Sequence, residues 1–155
     1  MLKVEKKALL DASLERAAEL LGDITPQVMA AYYARQPGGL ESFEFHSLGD
    51  LNQLEGQMIE QVIYCLMQWY ESPGEIEIIL LTTIPHHIDT LKIAPQFFAD
   101  LIEVTCDVIA GTIPAEATDE QAVWEEVRHE MQALCAQGAA YSQRMLRQSS
   151  IVIKG

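Results

Sequence analysis

Two adjacent histidines, His86 and His87, lie in the middle of the chain between two apolar segments. Neutral imidazole nitrogens are the commonest protein ligands for transition metals, so one of these two histidines could bind an iron ion. Downstream, Pro95 fits the first position of a helix, and the aromatic residue Phe98 follows it by three positions. We therefore take residues 85–98 as the candidate centre of a site whose walls the rest of the chain must supply.

Length and charge limit the kinds of partner this site can serve. A chain of 155 residues that is 49% hydrophobic has the size of a single globular domain, residues 1–155. Ten basic residues against 23 acidic ones give a net charge of −13, which repels nucleic acid and anionic membranes. No apolar run approaches the ~20 residues of a bilayer span. Three widely spaced cysteines in apolar runs indicate reduced thiols, so we expect a cytoplasmic protein.

The elements around the histidines are predicted to be helices. Helical spacing of apolar residues predicts helices at 4–21, from Pro26 to Pro37, from Asp50 to Ser72, from Pro95 to Gly111, and from Thr118 to about Leu146. Residues 75–83 favour a strand by composition, but no second strand is predicted to pair with them, so we expect a helix. Residues 40–49 are expected to be irregular, as is a short tail at 148–155. The chain is therefore predicted to be all-α.

The spacing that begins at His87 resembles that of a known family. From this histidine the chain runs through Leu91, Ile93, Pro95 and Phe98. This resembles the proximal region of globins, in which a histidine that binds the haem iron precedes a corner and a proline that starts the next helix. The resemblance implies an equivalent corner between His87 and Pro95.

Two further segments carry the same resemblance. The sequence Tyr32–Tyr33–Ala34–Arg35 resembles the F-Y-x-R pattern in the second helix of bacterial globins, and Trp124 stands where their last helix often has a tryptophan. The resemblance extends over about residues 9–135. It implies a globin-like fold of six to eight helices around a central pocket.

The resemblance implies a haem b cofactor with an axial histidine. Adjacent helical residues point about 100° apart, so only one of His86 and His87 can face the pocket. The spacing to Pro95 and Phe98 favours His87 as the iron ligand. The implied function is binding of a diatomic gas (oxygen, nitric oxide or carbon monoxide) for storage, detoxification or sensing. Nitric oxide dioxygenase activity would need an external reductase, because the chain has no flavin or nicotinamide domain.

The helix after Asp50 should supply the wall opposite the histidine, in one of two registers. Counting from Tyr33 points to Gln57, and these two side chains would donate hydrogen bonds to bound dioxygen. The apolar stripe instead points to Leu54 and Met58, which would make an apolar pocket. The other residues that the resemblance assigns to the pocket are Phe43 or Phe45, Val62, Lys92, Ile93 and Phe98, with His46 and Lys92 near the haem propionates.

Thr83 and Pro85 depart from the globin pattern immediately before the histidine. A haem-free, globin-like regulatory or interaction module is therefore the alternative function, with Met58, Val62 or Phe98 filling the space. A homodimer or a regulatory protein partner would be compatible with either function.

A third interpretation is a metal-binding helical bundle, because Glu126 and His129 form an E-x-x-H segment. Such di-iron sites need two of these motifs and two further carboxylates. The sequence contains no second copy, so we expect Glu126 and His129 to be solvated.

Overall fold

A computed structural model describes the backbone of residues 1–154 and the side chains of residues 1–142. Within residues 1–154 the chain forms seven helices and no strand: α1 (Lys3–Leu21), α2 (Thr25–Arg35), α3 (Gly39–His46), α4 (Leu51–Gln68), α5 (Pro73–Asp89), α6 (Pro95–Ala110) and α7 (Thr118–Lys154). The predicted all-α class, with six to eight helices, is confirmed. None of the helices that the structure describes is long and apolar enough to span a membrane.

The central helix is α6, which packs against α1, α2, α4, α5 and α7. Its side chains are buried along most of its length, and they include Phe98, Leu101 and Ile102. Each large apolar side chain that is fully buried contributes roughly 1.5–3 kcal/mol to the free energy of unfolding. The core is therefore organised around α6, and its first turn holds the residues nearest the histidine segment.

The helix expected over residues 75–83 is confirmed as part of α5. Three fully buried residues, Ile76, Leu80 and Ile84, recur every four positions along it. This helical spacing of buried side chains outweighs the strand-like composition. The helix also continues through Pro85, so His87 lies on its last turn.

The prediction that residues 40–49 are irregular is wrong for most of that segment, because α3 spans Gly39–His46. The sequence signal is weak, since Phe43 is the only large apolar side chain that this helix buries. Its ring contacts Tyr32 and Tyr33 edge-on, with centroids 5.7 and 5.9 Å apart. A Cβ atom on Gly39 would lie 2.9 Å from Tyr32 Cε1, so this glycine allows α3 to approach α2 closely.

The last helix, α7, is 37 residues long and packs most extensively against α5. A Cβ atom on Gly138 would lie 2.9 Å from the Cβ atom of Ile84, so these two helices are in close contact there. Ser142 donates a hydrogen bond of 2.6 Å to Asp89 Oδ1 at the end of α5. The tail that we expected to be irregular from residue 148 is helical as far as Lys154, and Gly155 lies outside the described residues.

Polar contacts join α7 to α1 and α6. Glu120 is buried, and it accepts hydrogen bonds from Ser13 and Arg16 of α1. The Arg16 guanidinium holds the pKa of this carboxyl below its usual range. Arg128 donates to Glu103 Oε1 at 2.8 Å and to Asp107 Oδ1 at 2.6 Å on α6. These contacts fix α7 against α1 and against α6, the helix that carries Phe98 and Leu101 of the candidate site.

The three cysteines, Cys65, Cys106 and Cys135, are buried free thiols. Burial raises the pKa of the Cys65 thiol to about 11, and it raises the pKa of Cys106 and Cys135 to about 12. A thiol with such a pKa carries little thiolate near neutral pH and is therefore unreactive. All three behave as small core residues.

Candidate functional site

A cavity of about 100 Å³ lies where α2, α3 and α4 meet the end of α5 and the start of α6. Thirteen residues line it: Tyr32, Gly39, Ser42, Phe43, His46, Leu54, Met58, His87, Leu91, Ile93, Phe97, Phe98 and Leu101. Seven of them are among the site residues expected from the sequence: Phe43, His46, Leu54, Met58, His87, Ile93 and Phe98. The structure therefore brings together residues from segments far apart in the sequence.

His87 contributes the imidazole ring at this cavity. Its Nδ1 atom lies 2.8 Å from the backbone carbonyl oxygen of Thr83, one helical turn earlier. An N–H on Nδ1 satisfies this carbonyl, which places the lone pair of the neutral ring on Nε2. Among residues 1–142, Nε2 has no hydrogen-bond partner. Phe98 packs against the ring, with centroids 5.4 Å apart.

The protonation state of His87 suits metal ligation. Burial lowers the pKa of His87 below its ordinary value of 6.5, and the hydrogen bond to Thr83 opposes this shift only in part. The ring is therefore neutral at physiological pH, the form in which imidazole binds a metal. Histidines that ligate metals usually donate their second ring N–H to a carbonyl or carboxylate, as His87 does here.

The adjacent His86 is exposed and does not line the cavity. The two imidazole rings are perpendicular, with centroids 6.2 Å apart. This divergence follows from the rotation of about 100° between neighbouring helical positions.

The wall from α4 follows the apolar stripe. Leu54 and Met58 line the cavity, whereas Gln57 is exposed. Of the two registers that the sequence left open, the structure has the one that places Leu54 and Met58 inside. The cavity is therefore apolar on the side that faces α4.

The tyrosine at the cavity is Tyr32 rather than Tyr33. Tyr33 is half-buried, and its hydroxyl donates a hydrogen bond of 2.6 Å to Glu55 Oε2 on α4. Tyr32 is buried, and burial together with the charge of Asp100 raises its pKa. The sequence does not separate the two tyrosines, because Tyr32 follows the apolar Val28 by one helical turn and Tyr33 follows the apolar Met29 by one helical turn.

Three other expected residues lie away from the cavity lining. Phe45 is 78% exposed and packs its ring edge against His46, with centroids 5.0 Å apart. Val62 is fully buried in the core and does not reach the cavity. Lys92 is exposed, in a left-handed backbone conformation with φ of 57°. Phe43 is thus the phenylalanine of α3 that faces inward.

Sequence reasoning missed six of the lining residues: Tyr32, Gly39, Ser42, Leu91, Phe97 and Leu101. Leu91 belongs to the spacing from His87 that resembles globins, but that resemblance did not predict that it lines the pocket. Ser42 could not be assigned because α3 was not predicted. His46, expected near the cavity mouth, does line the cavity, and its Nε2 atom lies 3.3 Å from the carbonyl oxygen of Leu91.

Glu126 and His129 are not organised as a metal site. Glu126 accepts a 2.7 Å hydrogen bond from the Lys6 ammonium group of α1, and His129 is exposed. Among the described side chains, no group of three His, Cys, Asp or Glu residues could hold a metal ion.

The cavity offers the imidazole rings of His87 and His46 in a mostly apolar setting, and the second ring nitrogen of His87 has no hydrogen-bond partner among residues 1–142. Such an arrangement can supply a single axial ligand to a metal whose other ligands come from a cofactor, or it can hold a small apolar molecule. Comparisons of the chain with protein-family models, with curated proteins and with solved structures found no significant match.

Proposed function

We propose that this chain is a globin-like haem protein that binds a diatomic gas, with His87 as the axial ligand of the iron. The observation that carries this proposal is the hydrogen bond from His87 Nδ1 to the Thr83 carbonyl at an apolar cavity. That bond fixes the ring and leaves Nε2 available for a metal. The order of His87, Pro95 and Phe98 along the chain supports the same proposal.

The lining of the cavity fits a haem in its chemistry. Phe43, Leu54, Met58 and Ile93 offer apolar contacts for a macrocycle, and His87 offers the donor. The volume of about 100 Å³ is smaller than the ~300–1,000 Å³ of typical ligand pockets. A haem therefore needs the wall formed by α3 and the 90–94 segment to move outward.

When bound, haem supplies an iron atom that can take up oxygen, nitric oxide or carbon monoxide. His87 would hold the iron, and Phe98 would restrict rotation of the imidazole ring. Leu54 and Met58 would exclude water and would donate no hydrogen bond to the gas. We therefore expect the α4 wall to stabilise bound oxygen less than a wall with a polar donor would.

A haem titration of the purified apoprotein tests the proposal. We expect saturable, one-to-one growth of a Soret absorbance band that shifts when carbon monoxide is added. Replacing His87 with alanine should abolish this band or change its position. His86→Ala is the matched control and should behave like the original chain. Absence of a Soret band, or one that His87→Ala leaves unchanged, would contradict the proposal.

The small cavity volume favours a second function, that of a haem-free regulatory or interaction module. Enclosed apolar cavities of roughly this size can bind xenon or benzene directly. In this case the apoprotein would take up no haem, while NMR would detect xenon near Leu54, Met58 and Phe98. Haem binding with loss of the xenon signal would instead support the first function.

A further inference from the structure

Among the helices that surround the cavity, α3 is held by the fewest neighbours. It is eight residues long, and its main contacts are with α2 and α4. It buries one large side chain, Phe43, whereas its outward face carries the exposed Leu40 and Phe45. Because little apolar surface holds α3 in place, single polar contacts at its ends affect its position strongly.

His46 makes such a contact at the end of α3. Its Nδ1 atom lies 2.8 Å from the Ser42 carbonyl oxygen within the same helix. Its Nε2 atom lies 3.3 Å from the carbonyl oxygen of Leu91, in the segment that follows α5. A neutral imidazole has only one N–H, so the contact to Leu91 forms when the proton is on Nε2 or when both nitrogens are protonated.

Leu91 belongs to a segment that is tied to the helix of the candidate iron ligand. The Leu91 amide donates to the His86 carbonyl at 3.3 Å, and the Ile93 amide donates to the His87 carbonyl at 2.8 Å. Between them, Lys92 has φ of 57°, a left-handed conformation that is strained for a residue with a side chain. When Nε2 carries a proton, the hydrogen bond from His46 therefore joins α3 to a strained segment that follows α5.

We propose that His46 is a latch that holds α3 against the 90–94 segment and so controls access to the cavity. Both His46 and Leu91 line the cavity. Breaking their hydrogen bond therefore opens the cavity where α3 meets the 90–94 segment. The opening is where a ligand larger than the resting cavity enters. If that ligand is haem, the inference rests on the proposed function. The latch itself is a property of the apoprotein.

Hydrogen–deuterium exchange of the 155-residue apoprotein tests the latch without any ligand. We expect His46→Phe to lower the protection of α3 amides by about three- to tenfold, the factor that one net hydrogen bond contributes. Amides of α6 and α7 should keep their protection. His46→Gln keeps one N–H donor and should retain most of the α3 protection. His129→Phe, the same change at an exposed histidine of α7, is the matched control.

The rate of haem uptake, followed by stopped-flow absorbance, is the second readout. We expect uptake by His46→Phe to be several-fold faster than by the original chain, with His46→Gln between them. If the original chain takes up no haem, the proposed function fails, and the exchange experiment still decides on the latch. Unchanged α3 protection in His46→Phe overturns the latch whether or not haem binds. If His46→Phe does not fold, unchanged α3 protection in His46→Ala overturns it equally.

Discussion

Two surfaces meet the last turns of α5 in different ways, a packed face formed by α7 and a cavity face lined by α3 and α4. At the packed face, Ile84 is fully buried against Gly138 of α7, with no room between the helices for a further methyl group. At the cavity face, His87, less than one turn later on α5, borders a cavity of about 100 Å³. The same helix therefore serves both as a packed core element and as the support of the candidate ligand.

Because of this difference, the stability of the protein and its ligand binding depend on different sides of the molecule. Close packing between α5 and α7 fixes the backbone around His87, and the bond between Ser142 and Asp89 anchors the end of α5. The wall across the cavity depends on α3, which has fewer contacts. We infer that the α7 side supplies most of the free energy of unfolding, whereas the α3 side can adjust to a ligand.

The largest expected effect is on the packed face. Ile84→Ala should lower the free energy of unfolding by roughly 2–5 kcal/mol, because it leaves a cavity between two closely packed helices. Leu54→Ala removes a side chain that is partly exposed and already borders an empty space, so we expect about half of that loss or less. Urea denaturation of both variants measures the difference. Equal losses would show that the two faces contribute alike.

The second-largest loss in the free energy of unfolding is expected where α5 and α7 are in close contact. Gly138→Val should lower the free energy of unfolding by roughly 1–3 kcal/mol, because its side chain would overlap Ile84. The matched control is Gly56→Val on α4, where a Cβ atom meets nothing within 4 Å. Thermal denaturation should give a lower Tm for the first variant alone. A normal Tm for Gly138→Val would contradict the close contact.

On the cavity face, the stability of the apoprotein should depend on pH through His87. Because burial lowers its pKa below 6.5, the unfolded chain binds a proton there at a pH where the folded chain does not. The stabilising contribution is fully present above pH 6.5 and is lost as the pH falls through the lower folded-state pKa. The free energy of unfolding of His87→Gln should vary less over this range, whereas His86→Gln should retain the dependence.

The smallest effect is expected at Tyr33. Tyr33→Phe removes the hydrogen bond to Glu55, so we expect a loss of about 0.5–1.5 kcal/mol in the free energy of unfolding. Ligand binding should be unchanged, because Tyr33 does not line the cavity. A shift in the carbon monoxide affinity of the haem-loaded variant would show that Tyr33 reaches the bound gas.

The sequence predicted those parts of the fold where many apolar side chains recur at helical spacing. The long helices α1, α4, α6 and α7 belong to this class, and α5 was recovered because no partner strand was predicted. The short helix α3 was missed because it buries one large side chain, so periodicity gives almost no signal.

The candidate site was predictable to a similar degree. Its centre at His87 and Phe98 follows from local spacing, because both residues flank one corner. The choice of Tyr32 over Tyr33, and of Leu54 and Met58 over Gln57, depends on the rotation of α2 and α4 about their axes. Packing against neighbouring helices sets that rotation, and a one-residue change in register reverses which side chains face inward.

The most direct test of the central claim is chemical rescue of His87→Gly. We expect this variant to lose the Soret spectrum of the haem-loaded protein, and added imidazole to restore it by filling the space left by the side chain. His86→Gly should need no rescue. A spectrum of His87→Gly that matches the original protein without imidazole would show that His87 does not bind the iron.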